Sequence, residues 1–285
     1  MGILIALIPA IAWGSIGLIS GHMGGSARQQ TLGMTMGALV FGIVLWLFKQ
    51  PVLNSAVWAT GIISGLFWSV GQGQQFTSMK AVGISRTTPI STGMQLVANA
   101  LAGVLLFNEW HGRMYWIGSI SVIVLIFGAV LTSLTDKTDP NVQRSENWSV
   151  GIRALILSTV GYAGYTIVVH YGNVNAQAVV MPQAVGMLIG ALIWSFKDRP
   201  WKETATYRNI VTGLVWGIGN LFMFMAMAQI GQAIAYSLSQ MGIVISTFGS
   251  IYLLGERKTH REMIYVIIGS ILVIVGGVAL SLMKA

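Results

Sequence analysis

The stretch Trp68–Lys80, WSVGQGQQFTSMK, decides how this chain is read, because it lies inside an apolar segment too long for a soluble core helix. It sets Gln72, Gln74 and Gln75 at a depth where hydrocarbon would surround them. An unpaired amide there costs several kcal/mol by order of magnitude, so each must face protein, water or a ligand. A near-copy follows 148 positions later at Trp216–Ala228, WGIGNLFMFMAMA. Trp216 then falls on Trp68, Gly219 on Gly71 and Asn220 on Gln72.

Working outward, the composition sets the class. Of 285 residues 54% are hydrophobic and 8% charged, with 35 Gly, whereas soluble domains carry about 25% charged residues. A helix spanning a bilayer needs roughly 20 mostly apolar residues. Ten segments qualify: 3–20, 31–49, 56–78, 88–107, 114–134, 150–169, 178–197, 208–228, 233–254 and 262–283. The expected fold is an all-α polytopic membrane protein with ten transmembrane helices and short loops. The first span lacks a basic leader and runs directly into further spans, so it reads as helix one and not as a cleaved signal. The net charge of +8 sits in short loops, which points to membrane orientation and away from nucleic acid. With no Cys, disulfides and thiolate metal sites are excluded.

The one hydrophilic stretch, residues 135–148, divides the chain into repeats 1–134 and 149–285. The halves match at the constant offset of 148: His22 with His170, Trp46 with Trp194, and Lys49 with Lys197. Over residues 65–83 seven of nineteen positions are identical to their counterparts without a gap. Five spans per half is an odd number, so the second repeat is expected upside down relative to the first. Such inverted repeats place a shared site near the midplane and alternate its access between the two sides. With the N-terminus outside, thirteen of the sixteen Lys and Arg fall in cytoplasmic loops, leaving Lys49, Arg113 and Lys284 outside. Both termini are therefore expected outside.

On the third span Trp68, Gln72 and Gln75 share one face, and the eighth span presents Trp216 and Asn220 on the matching face. An indole beside an amide suits a neutral polyol: the ring packs on C–H surface and the amide donates to and accepts from hydroxyls. Ser91, Gln95 and Asn99 form a polar stripe on the fourth span, and Tyr236 and Gln240 do the same on the ninth. The competing reading of every one of these amides is glue between helices. Asn173 and Asn175 read as loop residues, and small residues spaced four apart, such as Gly61 and Gly65 or Gly213 and Gly217, read as close packing.

No carboxylate or Lys falls mid-span, the usual place for an ion carrier. Glu109 and Glu256, at symmetric span ends, read first as anchors. His22 and His170, also symmetric, read first as interfacial. These four are the only groups placed to couple transport to protons. No H-E-x-x-H, G-x-S-x-G or P-loop is present, so the chain does not read as an enzyme, and no catalytic residue, metal ligand or cofactor is expected.

The segments PAIAWGS (Pro9–Ser15), QTLGMTMGALVFG (Gln30–Gly42), STGMQLV (Ser91–Val97), STVGYAGY (Ser158–Tyr165), WGIGNLFMF (Trp216–Phe224) and LGERK (Leu254–Lys258) span the chain. In order and spacing they resemble the bacterial glucose uptake permeases of the glucose/ribose porter family, within the drug/metabolite transporter superfamily. The resemblance implies a ten-helix bacterial plasma-membrane permease importing glucose together with a proton. Its partners would be a small sugar, H+ and lipid, with a homo-oligomer left open. Ribose or another sugar, export of amphipathic metabolites, and a sugar sensor without flux stay open as alternatives.

Overall fold

The computed structural model describes residues 2–134, 136, 147–255 and 258–281. Among them the regular structure is helical throughout: α1 Gly2–Met23, α2 Ala27–Lys49, α3 Ser55–Val82, α4 Ile84–Leu105, α5 Arg113–Ser133, α6 Trp148–Gly172, α7 Ala176–Ser195, α8 Thr204–Arg208, α9 Ile210–Ile230, α10 Gln232–Ser239, α11 Ile243–Leu253 and α12 His260–Ser281. The starts are chemically specified. Ser26 and Gln29 form a reciprocal capping box on α2, and Asn54, Asn147 and Asn175 accept from the first free N–H groups of α3, α6 and α7. Each cap satisfies donors that have no partner inside the helix. Asn175 is thus a cap and Asn173 a left-handed helix end, which agrees with their reading as loop residues.

Eight of the described helical segments are long and apolar enough to cross a bilayer, including Thr204–Ile230 and Gln232–Leu253 read as continuous stretches. α3 and α4 are not among the eight, and they are the helices that carry Gln72, Gln74, Gln75, Gln95 and Asn99. Length is not their shortfall. At 28 and 22 residues and a rise of about 1.5 Å per residue they exceed the roughly 30 Å hydrocarbon core. Their amides are buried instead: Gln72, Gln95 and Asn99 are at most 4% exposed. The outer faces of α5 and α12 are apolar, with Ile123, Phe127, Ile271 and Val275 all more than half exposed. A polar interior inside an apolar exterior is the arrangement a multi-pass membrane protein needs.

The ninth span, expected as one helix over 233–254, runs as one span over Gln232–Leu253, with its α-helical bonding interrupted by a 3-10 turn at Gln240–Gly242 between α10 and α11. Here α1 and the break approach backbone to backbone. A Cβ on Gly14 would lie 2.5 Å from the Gly242 carbonyl oxygen, and one on Gly242 would lie 2.2 Å from that of Ala10. Only glycine at both positions lets the chains come that close, and glycine weakens the helix where it does so.

α3 packs on α6 and α7, α1 on α9, α10 and α11, α2 on α7 and α9, α4 on α5, α6, α10 and α11, and α12 on α5, α10 and α11. Exchanging the halves at the 148-residue offset maps this set onto itself: α3 with α6 becomes α9 with α1, and α3 with α7 becomes α9 with α2. Gly21 of α1 lies against Ile84 and Leu254, while Gly2 lies against Ile230. The ends at Met23, Gly83 and Leu253 therefore share one face of the bundle, and Gly2, Gly231 and the start of α10 share the opposite face.

The small residues spaced four apart are where these helices meet. A Cβ on Gly65 would fall 2.1 Å from the Gln183 carbonyl oxygen, and one on its counterpart Gly213 would fall 2.0 Å from that of Met34. We expect Gly65→Ala and Gly213→Ala each to cost about 1–3 kcal/mol by overpacking, read as a lower thermal midpoint in detergent. Gly93→Ala, whose new methyl meets nothing closer than 3.9 Å, should leave the midpoint unchanged or raise it.

Candidate functional site

Between α1, α3, α4, α6, α9 and the α10–α11 break lies a cavity open to one side. Trp68, Gln72, Gln75, Gln95, Trp216, Tyr236 and Gln240 all line it. The sequence places these residues on four separate spans, and the fold brings them to one wall-and-floor arrangement.

The polar wall is a continuous hydrogen-bonded chain. The Tyr162 hydroxyl lies 2.7 Å from Gln72 Oε1 and 2.9 Å from Gln75 Oε1. Gln75 donates through Nε2 to Ser91 Oγ at 2.9 Å, and Gln95 donates to the same oxygen at 2.6 Å. The Tyr236 hydroxyl donates in turn to Gln95 Oε1. Such a network fixes each amide's orientation, because every group is already held by a neighbour. Its spare N–H and lone-pair capacity is then available to a guest that brings hydroxyls.

Rings line the same cavity. Trp68 and Trp216 pack with ring centroids 4.8 Å apart, and Trp13 lies 6.3 Å from Tyr236. Trp68 and Trp216 are counterparts at the 148-residue offset. So are Thr92 and Gln240, joined by a 3.2 Å hydrogen bond across the same space. Repeat-related residues thus touch one another at this cavity. Among its lining residues there is no carboxylate, ammonium or imidazole, so what it offers is hydrogen bonding and ring surface to an uncharged molecule.

Two of the expected binding residues lie elsewhere. Asn220, fully buried, donates to Gln183 Oε1 at 2.6 Å, and Gln183 donates to Ser64 Oγ at 2.6 Å. Being one methylene shorter than Gln72, the Asn220 amide meets α7 and does not reach the cavity. Asn99 accepts from Thr166 Oγ1 at 2.6 Å and from Gln232 Nε2 at 3.1 Å. Both are joints between helices, and the expectation that they line the cavity is corrected. Gln74 is half-buried and does not line it either.

The ionisable candidates also lie outside. Glu109 accepts from the backbone N–H of Gln232 at 2.7 Å and of Ala233 at 2.8 Å, capping α10. His170 Nε2 is 3.7 Å from Glu109 Oε1. His22 is exposed at the end of α1, on the opposite face from His170. Glu256 lies outside the described residues.

The cavity also contains residues that the sequence did not single out as binders: Trp13, Tyr162, Tyr165, Thr88 and Thr92. A signal for three of them was present. Trp13, Tyr162 and Tyr165 each have a glycine as repeat counterpart (Gly161, Gly14 and Gly17). A search for identities passes over such pairs, yet a large ring opposite a glycine is how duplicated halves make unequal walls.

A family model described as "Sugar transport protein" matches residues 4–283. The chain is 88% identical over its full length, and that of its relative, to a "Putative sugar uptake protein" of Lactiplantibacillus plantarum. It is 44% identical, again over 100% of both chains, to a "Probable glucose uptake protein GlcU" of Bacillus cereus. A solved crystal structure aligns with a TM-score of 0.72 over 99% of this chain and 96% of its own, at 17% identity, and so shares the fold.

Removing one member of the buried α7–α9 joint strands the other. Asn220→Ala and Gln183→Ala should each cost roughly 1–3 kcal/mol. The double variant should cost less than the sum, as measured by thermal unfolding in detergent.

Proposed function

The chain belongs to the sugar transport protein family, and from that premise we propose that it imports a monosaccharide, glucose first, across the bacterial plasma membrane by alternating access. The observation that carries this reading is one cavity holding seven residues expected as binders, lined by amides, hydroxyls and indoles together. Sugars present that duality: hydroxyls around the ring edge and C–H patches on its faces. Trp68, Gln72, Gln75, Gln95, Trp216, Tyr236 and Gln240 hold the sugar, joined by Trp13 and Tyr162. The neutral lining favours an uncharged polyol over a cationic amphipath, which would leave its charge unpaired in a low-dielectric site. Relatives named for glucose uptake support glucose as the sugar to test first, with ribose as the second.

The same reading takes the chain as ten spans in two inverted repeats, 1–134 and 149–285, joined by the polar linker. Its support is the packing set that maps onto itself on exchange of halves, together with the meeting of the counterparts Trp68 and Trp216. The Lys and Arg distribution puts the face of Gly83 in the cytoplasm and both termini outside. Proton coupling is carried over from the family resemblance, and no lining residue titrates near neutrality.

Uptake of radiolabelled glucose into proteoliposomes tests the assignment, with ribose in parallel. We expect saturable flux, and Gln72→Ala and Gln75→Ala each to lose on the order of tenfold in kcat/KM, the loss of about one good hydrogen bond. Asn220→Ala should alter protein yield more than KM. Absence of saturable flux for a panel of monosaccharides, with and without a pH gradient, would sink the proposal.

A further inference from the structure

The cavity is one-sided. Its lining runs from the middle of the bundle (Trp68, Gln95, Tyr162) toward the face of Gly83, where Met79 and Thr88 are partly exposed. Toward the opposite face, the helices that would have to part are sewn together. Glu109 holds the first two N–H groups of α10, and its own backbone N–H reaches the Gly103 carbonyl at 3.0 Å. The Gln232 side chain, fully buried, lies 3.1 Å from Asn99 Oδ1 on α4 and 3.4 Å from Thr166 Oγ1 on α6. The Phe107 ring covers His170 at 4.0 Å. A carboxylate on two backbone N–H groups makes charge-assisted bonds, roughly twice as strong as neutral ones.

Three of the repeat counterparts on the other face make no matching bonds, and that of Glu109 lies outside the described residues. Asn99 corresponds to Thr247, Thr166 to Leu18 and Gln232 to Ile84. Thr247 Oγ1 is buried with no hydrogen-bond partner. Leu18 packs on Gly249, and Ile84 packs on Gly17 and Gly21. At these three positions one face carries amide and hydroxyl bonds and the other does not.

We propose that Glu109 is the latch of the closed face: a positioning residue that pins α10 to α4 and α6, and whose release from the α10 N-terminus opens the cavity to that side. This rests on the reading of the cavity as a transport route. It assigns Glu109 a role distinct from carrying a proton through the site, since it touches backbone and no lining side chain of the cavity wall.

The natural absence of cysteine makes the test direct. Ser239→Cys puts a single thiol on the cavity-lining part of α10, to be probed with a membrane-impermeant maleimide in membrane vesicles of each orientation, without sugar. Labelling is expected from the face of Gly83 alone. Adding Glu109→Gln should raise labelling from the opposite face tenfold or more, and adding Asn99→Ala with Thr166→Ala, which leaves Glu109 intact, should raise it by less. The proposal is overturned if the single-cysteine protein labels from both faces or from neither. It is overturned equally if Glu109→Gln, shown to be folded by gel filtration, leaves the labelled face unchanged, or if that variant does not fold and the α4–α6 double variant leaves it unchanged. Since no sugar is present, a shift in labelling from a chain that moves no monosaccharide would retain the latch and defeat the sugar assignment instead.

Discussion

A polar group that cannot reach water must find its partner inside the protein, and nearly every interior feature of this chain follows from that demand. Ser64 donates to the Tyr165 carbonyl, Ser158 to that of Gly71, and Gln30 to that of Ser20. In lipid the alternative is an unsatisfied group in hydrocarbon. Where two helices each bring an amide to the same height, as Gln183 and Asn220 do, the pair becomes a joint, although the Asn220 Oδ1 is buried without a hydrogen-bond partner. Where three or more helices bring amides and hydroxyls to an unfilled space, as around Gln72, Gln75, Ser91 and Gln95, the groups orient one another and keep capacity for a guest.

The unfilled space arises from inequality between the two halves. Gly71 and Gly161 let α3 and α6 touch, for a Cβ on Gly161 would lie 2.4 Å from the Gly71 nitrogen. At the related α1–α9 contact the neighbours of Gly219 are the Trp13 indole and the Ala12 methyl. Tyr162 and Tyr165 stand where the other half has Gly14 and Gly17. An exact duplication would bury its centre symmetrically. These exchanges of ring for glycine put Trp13, Tyr162 and Tyr165 into the cavity lining beside Gly14 and Gly17.

The same inequality separates the two faces of the bundle. Charge-assisted and amide bonds require particular distances and angles, so they hold one arrangement and release it as a unit. Apolar contacts such as Leu18 on Gly249 tolerate sliding. With directional bonds at Asn99, Thr166 and Gln232, and apolar or unpaired groups at their counterparts, the two faces of the bundle are held unequally at these positions.

Much of this was legible in the chain itself. Apolar length and low charge fixed a helical membrane protein, because hydrocarbon leaves helices as the way to satisfy such a backbone. The 148-residue offset exposed the likeness of the two halves, and amides and rings at helical spacing picked out seven cavity residues. Partner choice was not legible. Whether Gln72 or Asn220 faces a cavity, whether the ninth span stays continuous, and what Glu109 holds all depend on which neighbour stands within about 3 Å. That distance is set by the meeting of helices far apart in sequence, through close approaches such as Gly14 on Gly242. One chain's periodicity gives the face a residue points to, but only the assembled bundle decides what waits there.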